Sequence, residues 1–526
     1  MDPAVHKFAR LSLMRHQARQ KQVESQFGLG RPPISLEFNG YRLVAVGPEL
    51  HWSKAWKTFP DFLMDYFKKV MGSEWGEAQL KKPWDQRHIL FMWYAMVCEY
   101  QKTVIMTQGQ PTESAMTGAV CGVLWLTYGL YLLRHNAEIQ LRLLQRLRAA
   151  DPVNIFGALQ EVIIAAAMIR AGFELELENE ADGSETHCEF TATSKFTGNK
   201  FSVEVKVCNP GTSGKNDGRP RTFRQLSNAL SKAAKHPRIV CIELNRPASG
   251  DGGPQVAEQL IKREMRRIRE NENNLRINGQ PSPPAYVVLS NFPFRYDLQG
   301  SGYMRAALLE GLKIPGLNGE AVAFRSPRAL SEFRASHVDP FRFVQTLVTM
   351  QIPSTLDGEL PAKAFGDTDT ASQLLVGERY LVKDADGRDV AGELVQARVL
   401  EGERNVFGLF RLADGSSVSC QIPISDAELK VYRESPDTFF GVYEPKAQPK
   451  DPGEWYEWFL STYQKTPREG LLRFLADQAD IETLRDCPQH ELAKIYADRL
   501  ACSVIAMQRP VVPQRLPEPA GPKKRY

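Results

Sequence analysis

The stretch FSVEVKV, residues 201–207, decides how the rest of the chain reads. Strand alternation sends Phe201, Val203, Val205 and Val207 to one face, and Ser202, Glu204, Lys206 and Cys208 to the other. Glu204 and Lys206 therefore project side by side, about 7 Å apart along the strand. Alone, a Glu-x-Lys strand is ordinary; its neighbours make this one informative. HCEFTAT, residues 187–193, is a second alternating run in which His187, Glu189, Thr191 and Thr193 share a face. The intervening SKFTGNK, with Gly198-Asn199 near its tip, pairs the two runs as a hairpin. Glu189 and Glu204 then share a face of adjacent strands, where like charges are unfavourable unless a cation lies between them. Two carboxylates, with water completing the shell, are a usual way to hold Mg²⁺.

Upstream, residues 154–171 read as a helix, apolar nearly all round and ended by Gly172. Glu161 is its only acid, one turn from Gly157, Ala158, Ile164 and Ala165, an expensive place for a solvated charge. Pairing with an arginine and a role at the carboxylate site both stay open, although Arg170 lies too far along the helix to be that partner. FELELE follows as a strand before the hairpin. Downstream come a helix (TFRQLSNALSKAAK), a strand (RIVCIEL), a helix (QVAEQLIKREMRRIRE) and a strand (AYVVLSN). This alternation defines an α/β domain over residues 151–350 with a mixed sheet between helices.

Helix, strand, carboxylate strand, Glu-x-Lys strand, helix and strand, in that order, resemble the core of the PD-(D/E)XK nuclease superfamily, the restriction-endonuclease-like fold. The resemblance covers roughly residues 154–290. It implies a metal-dependent hydrolase of phosphodiester bonds. Glu189, Glu204 and the backbone carbonyl of Val205 would ligate Mg²⁺ or Mn²⁺, and Lys206 would act on the attacking water. Glu161 matches the helix glutamate of many members, and Gln225 a glutamine carried by several branches on the following helix. The family's first acid is usually Asp after Pro; here it is Glu189 after His187-Cys188. The resemblance therefore also admits an inactive nuclease fold that serves as a nucleic-acid-binding or scaffold module.

Between Lys206 and Arg238 the bases are Lys206, Lys215, Arg219, Arg221, Arg224, Lys232, Lys235 and Arg238, against the single acid Asp217. Its first part, NPGTSGKNDGRPR, is a Gly- and Pro-rich loop next to the proposed site. Lys215, Arg219, Arg221 and Arg224 are thus expected to meet a phosphate backbone, with DNA the expected partner. The second basic run, KREMRRIRE, is interspersed with acids and reads as a solvated helix face.

The flanks give architecture rather than chemistry. Residues 1–150 read as a mainly helical domain dense in aromatics, 351–374 as a linker, 375–445 as a small β-barrel of SH3 or Tudor type, 446–510 as helices and 511–526 as a disordered tail. Tyr380, Phe407 and Phe410 are the aromatics available for a cage in the barrel. The barrel or the helical domains would carry any protein partner. Eight scattered cysteines without Cys-x-x-Cys spacing fit a reducing, cytoplasmic setting. Net charge +4 permits a polyanionic partner without requiring one. The basic start of the chain reads as a surface helix or arm. Residues 114–133 are uncharged and barely long enough to span a bilayer, yet they run on in helical period, so a buried helix and no membrane association are expected.

Overall fold

The computed structural model describes residues 3–508 except 106, 108, 178–187, 209–220, 248–253, 302–304, 318–323, 367–373, 384–385, 445–448, 450 and 478–479. The chain is a mixed α/β, multidomain protein of two compact units, Met1–Glu320 with Asp339–Lys446, and Ala321–Val338 with Ala447–Tyr526.

The first unit opens with α1 (Pro3–Phe27), followed by an antiparallel sheet of β1 (Ile34–Phe38), β2 (Tyr41–Val46) and β3 (Glu49–Ser53) in that order. Helices α2 (Phe59–Met71), α3 (Ser73–Leu80), α4 (Ile89–Val104), α5 (Gly118–Asn136) and α6 (Leu141–Arg148) come next, then α7 (Pro152–Arg170). The uncharged segment is α5. Thr117 caps its start, accepting from Val120 N–H, and nearly every residue from Val123 to Leu133 is buried. Gly122 and Gly129 let Trp93 and Val162 lie against its backbone; a Cβ at either position would overlap them. Among the described residues one helix, Pro152–Arg170, is long and apolar enough to cross a membrane, and 67% of its most apolar window is buried inside the protein.

A six-stranded sheet follows, built from β4 (Phe173–Leu177), β5 (Phe190–Ser194), β6 (Lys200–Val207), β7 (Arg238–Glu243), β10 (Ala285–Asn291) and β11 (Ala306–Leu312), in the order β11-β10-β7-β6-β5-β4. The short pair β8 (Arg276–Ile277) and β9 (Gln280–Pro281) stands apart. Hairpins join β4, β5 and β6 antiparallel, whereas α8 (Thr222–Leu230) and α9 (Pro254–Glu270) return the chain so that β6, β7 and β10 run parallel. The sheet is mixed, as expected, and β11 adds an antiparallel edge beyond the strands legible in the sequence. Both faces are covered. Val203, Val205, Ile239 and Cys241 join α7 in one core, and Val240, Ile242, Leu289, Leu226 and Ile261 form a second with α8 and α9. The first core also takes in α2, α4 and α5, so the boundary expected near residue 150 does not coincide with a break in packing.

Helix α8 ends at Leu230, five residues short of the predicted helix, because the chain turns at Ser231. Buried Asp339 fixes the β5–β6 turn by accepting from Ser194 Oγ (2.7 Å), Thr197 Oγ1 (2.5 Å) and Asn199 Nδ2 (3.0 Å). That residue belongs to a helix at Val338–Thr349, which follows one at Pro327–Ser336; these are α11 and α10.

Part of the expected linker is packed. Gln26 of α1 donates to the carbonyls of Gly358 and Glu359, Leu356 and Leu360 are buried, and α12 (Pro361–Ala364) follows. The helix α1 thus supplies the donors that this turn needs, and its Arg15 pairs with Glu378 at 2.6 Å. A four-stranded meander, β12 (Arg379–Lys383), β13 (Asp389–Leu400), β14 (Asn405–Arg411) and β15 (Ser417–Pro423), curls around Leu394, Val406 and Phe410 and is followed by α13 (Asp426–Glu434). Phe410 is buried in that core while Phe407, three residues away, is exposed on the opposite face. Tyr380, Phe407 and Phe410 therefore form no common cage.

The second unit holds α10 with α14 (Pro452–Tyr463), α15 (Arg468–Phe474), α16 (Ile481–Leu484) and α17 (Gln489–Gln508). Arg334 of α10 pairs with Asp451 at the start of α14 (2.9 Å), and Arg328 with Glu491 of α17. Residues 327–336, expected to belong to the α/β domain, thus pack with the C-terminal helices. The tail, 511–526, lies outside the described residues.

Candidate functional site

The β5–β6 ladder ends where Phe190 pairs with Val203, and Glu189 stands just before it. Glu189 N–H donates to the Val203 carbonyl (3.0 Å), holding the residue against β6 where the ladder ends. Glu204 pairs across β7 with Val240, so its side chain points to the α8 face. It is buried, and Lys206 on the same face donates to its Oε1.

A residue missed in the sequence completes the cluster. Lys232, just past α8, places Nζ 2.8 Å from Glu204 Oε1 and 3.3 Å from Glu189 Oε1. One ammonium thus reaches both carboxylates, whose nearest oxygens lie within about 6 Å of each other. The loop carrying Lys232 is tied down on both sides: Arg238 donates to the Lys232 carbonyl (3.2 Å), Cys188 Sγ to that of Ala233 (3.4 Å), and His236 N–H to Ser202 Oγ (3.3 Å). In the sequence Lys232 is visible only as one base of a basic run. Nothing there marks the turn that aims it at the acids.

Burial pushes the Glu204 carboxyl above its ordinary value, and the Glu189 charge adds to this, while Lys206 and Lys232 work against it. Lys232 in turn has its pKa raised by Glu189 and Glu204 despite partial burial. Glu204 Oε2 is buried without a hydrogen-bond partner. A buried carboxylate oxygen left over is an acceptor in want of a cation or a water.

Glu161 sits on α7, where Arg146 of α6 grips it with two hydrogen bonds of 2.7 Å. The arginine-paired reading of this glutamate is therefore correct, with Arg146 fifteen residues upstream as the partner. Burial first, then the Glu189 and Glu204 charges, still push its carboxyl from 4.5 up to about 7. Its electrostatics thus belong with the other two acids even though its hydrogen bonds point to Arg146.

Gln225 Nε2 donates to the Val207 carbonyl (3.2 Å), pinning α8 to the end of β6. Ser202 N–H donates to Pro237 O and Cys208 N–H to Glu243 O, so peptides of even-numbered residues in β6 face β7. The Val205 carbonyl faces the other way, past the first residue of β5 and toward the side that carries Glu189. Its side chain is buried in the α7 core.

Arg221, just before α8, and Arg224 within it are both exposed. Lys215 and Arg219 lie outside the described residues. The second basic run is the solvated helix face expected, with Lys262, Arg263, Arg266 and Arg269 exposed; Arg267 pairs with buried Glu264 (3.1 Å) and Arg269 with Glu310 of β11. Among the described residues no group of three or more His, Cys, Asp or Glu side chains is arranged to hold a metal ion. The acids present are two, with a third held by arginine. A cavity of about 650 Å³ bordered by Arg42, Lys57 and Asp357 shares none of these residues.

No family model, curated protein or solved structure matches this chain.

Proposed function

We propose that the chain is a metal-dependent nuclease of PD-(D/E)XK type, with Glu189 and Glu204 as the metal-holding pair. The observation that carries the reading is the pairing of these carboxylates on adjacent strands around a single cationic position, with Glu204 Oε2 unpartnered. Drawn together on one ion, these two carboxylates, the Val205 carbonyl and waters would make an oxygen donor set of the kind that suits Mg²⁺ or Mn²⁺. When bound, the ion would supply Lewis-acid activation of the scissile phosphate and of a water. Lys206, on the same face one strand step away, would hold that water in line and offset the charge gathering on the phosphoryl oxygens. Gln225 would set the height of α8 over the strand end. Glu161, with a pKa near neutrality, can exchange a proton in the working pH range. Arg221 and Arg224, with Lys215 and Arg219 of the same basic run in the sequence, would meet the phosphate backbone of nucleic acid, DNA in the first instance. On this reading the protein works in the cytoplasm, and the curled β-sheet, proposed as an SH3- or Tudor-like module, or the helical parts would receive any protein partner.

A second reading is favoured by one observation. Lys232 and Lys206 together already balance the two carboxylates, so the site can stand without a metal as an inactive nuclease fold that binds nucleic acid. Cleavage of single- and double-stranded DNA and RNA with Mg²⁺ and with Mn²⁺, beside binding at two salt concentrations, separates the two. The nuclease cuts in a chelator-sensitive way; the inactive fold binds and never cuts. In either case Arg221→Ala with Arg224→Ala should lower nucleic-acid affinity and flatten its salt dependence, by about one unit of slope for each phosphate no longer neutralised. Unchanged binding and slope would remove α8 from the interface.

A further inference from the structure

The three-stranded sheet carries an open apolar face. Register places Leu36 opposite Leu43 and Leu43 opposite Trp52; Ile34, Ala45 and Leu50 form a second row, and Phe38 with Tyr41 a third. Cross-strand partners share a face, so these eight side chains are contiguous. The other face of β2 and β3 holds Val44, Val46 and His51, buried against Phe62 and Tyr66. On the open face Ile34, Leu36, Phe38, Tyr41, Leu50 and Trp52 are 39–64% exposed. At roughly 100–150 Å² each, they present on the order of 700 Å² of apolar surface, above what a monomer ordinarily leaves open.

We propose that this face is a self-association surface, on which two copies of the chain stack their β1–β2–β3 sheets face to face about a two-fold axis. Area is the first ground. Close to 700 Å² per copy approaches the roughly 800 Å² per partner of a stable, specific interface. Shape and chemistry are the second. The eight side chains are uncharged, and stacked sheets about 10 Å apart bury such surfaces in sandwiches. With the axis along the strands, Trp52 of one copy lies over Leu36 of the other and Leu50 over Ile34, so apolar side chains meet in both of these rows. The rim is the third. The one charged side chain against this face is Lys54, whose Nζ lies 4.6 Å over the Tyr41 ring, while Glu37, Arg42 and Glu49 alternate to the covered side. A single lysine falls short of the cluster of about four to eight bases that an anionic membrane calls for, and suits a protein surface better.

The test is sedimentation of the full chain from sub-micromolar to tens of micromolar. A species of twice the 59.3 kDa chain is expected at the upper end. Leu36→Glu with Trp52→Glu should weaken the dimer at least a hundredfold while leaving the far-ultraviolet circular dichroism and melting of the monomer unchanged. Should that pair unfold the protein, Leu36→Thr with Trp52→Thr keeps strand preference while removing apolar area, and should weaken the dimer in the same direction. A wild-type chain that stays monomeric throughout overturns the proposal, whether or not it then sediments with vesicles of phosphatidylcholine and phosphatidylserine. So does a dimer that survives in a folded variant.

Discussion

Two sheets in this molecule depart from ordinary patterning in opposite directions. The six-stranded sheet is covered on both faces, yet it carries Glu204 and Lys206 inward, with Glu189 and Lys232 gathered around them. The three-stranded sheet is covered on one face only, yet its open face is apolar. In the first, desolvation of charge is a standing cost, tolerated where cations and acids satisfy one another. In the second, the cost is apolar area left in water. Each cost falls if something binds: a cation and a polyanion in one case, another apolar surface in the other. Departures of this kind locate function more sharply than composition does, because a net charge of +4 and an ordinary apolar content would mask both.

The largest expected effect comes from removing the charges of the six-stranded sheet one role at a time. Glu204→Gln should weaken Mn²⁺ binding and lower Mg²⁺-dependent cleavage by about 10²–10⁴-fold, with the fold intact. Lys206→Ala should lower the rate comparably but leave Mn²⁺ binding, followed by calorimetry, largely in place. Cleavage that persists in both variants would put the reaction elsewhere in the chain.

Lys232→Met comes next. It strips Glu189 of its ammonium and leaves Glu204 with Lys206 alone, so the loss should stay below the about 3–5 kcal/mol of a wholly uncompensated buried charge. The melting temperature without metal should fall accordingly. Mn²⁺ should restore it, and bind the variant more tightly than the wild type, because no ammonium competes for the position. A loss that no divalent ion recovers would favour the inactive fold, in which Lys232 is the permanent counter-ion.

How much of this could be read beforehand depends on the range of the interactions involved. The alternation in FSVEVKV and HCEFTAT is local; it correctly put Glu204 and Lys206 on one face, and Glu189, just before β5, does come near them through Lys232. The helix order and the mixed sheet follow from period and turn residues, which are local too. Lys232 and Arg146 escaped because each reaches its carboxylate through tertiary packing: one by a turn after Leu230, the other from a separate helix. The first unit's shared core was equally hidden, since α5 and α7 meet through Gly129 and Val162, far apart in sequence. The packed stretch around Leu356 read as a linker because its donors come from Gln26 at the other end of the chain.

The smallest expected effect is a pair of opposite pH dependences, one from each sheet. Glu161 beside the six-stranded sheet has its pKa raised from 4.5 to about 7 by burial and by the two neighbouring acids. The native state therefore holds this proton more tightly than the unfolded chain does. Its contribution is fully favourable below 4.5 and is lost as pH rises through 7, a loss on the order of 1–3 kcal/mol. His51 under the three-stranded sheet has its pKa depressed below 6.5, chiefly by burial and then by Lys69. There the unfolded chain binds the extra proton, so stability rises with pH up to 6.5. Relative to wild type, Glu161→Gln should gain stability as pH goes from 5 to 8. His51→Gln should instead lose its relative advantage as pH rises to 6.5, because the variant no longer has a buried imidazole to protonate in acid. Melting curves of the three proteins at half-unit pH steps measure both. Mn²⁺ should reduce the Glu161 slope alone, since a cation between Glu189 and Glu204 offsets the charges acting on that carboxyl. Equal slopes in all three proteins would mean that neither group is held in the buried state described, and the contrast between the two sheets would then rest on shape alone.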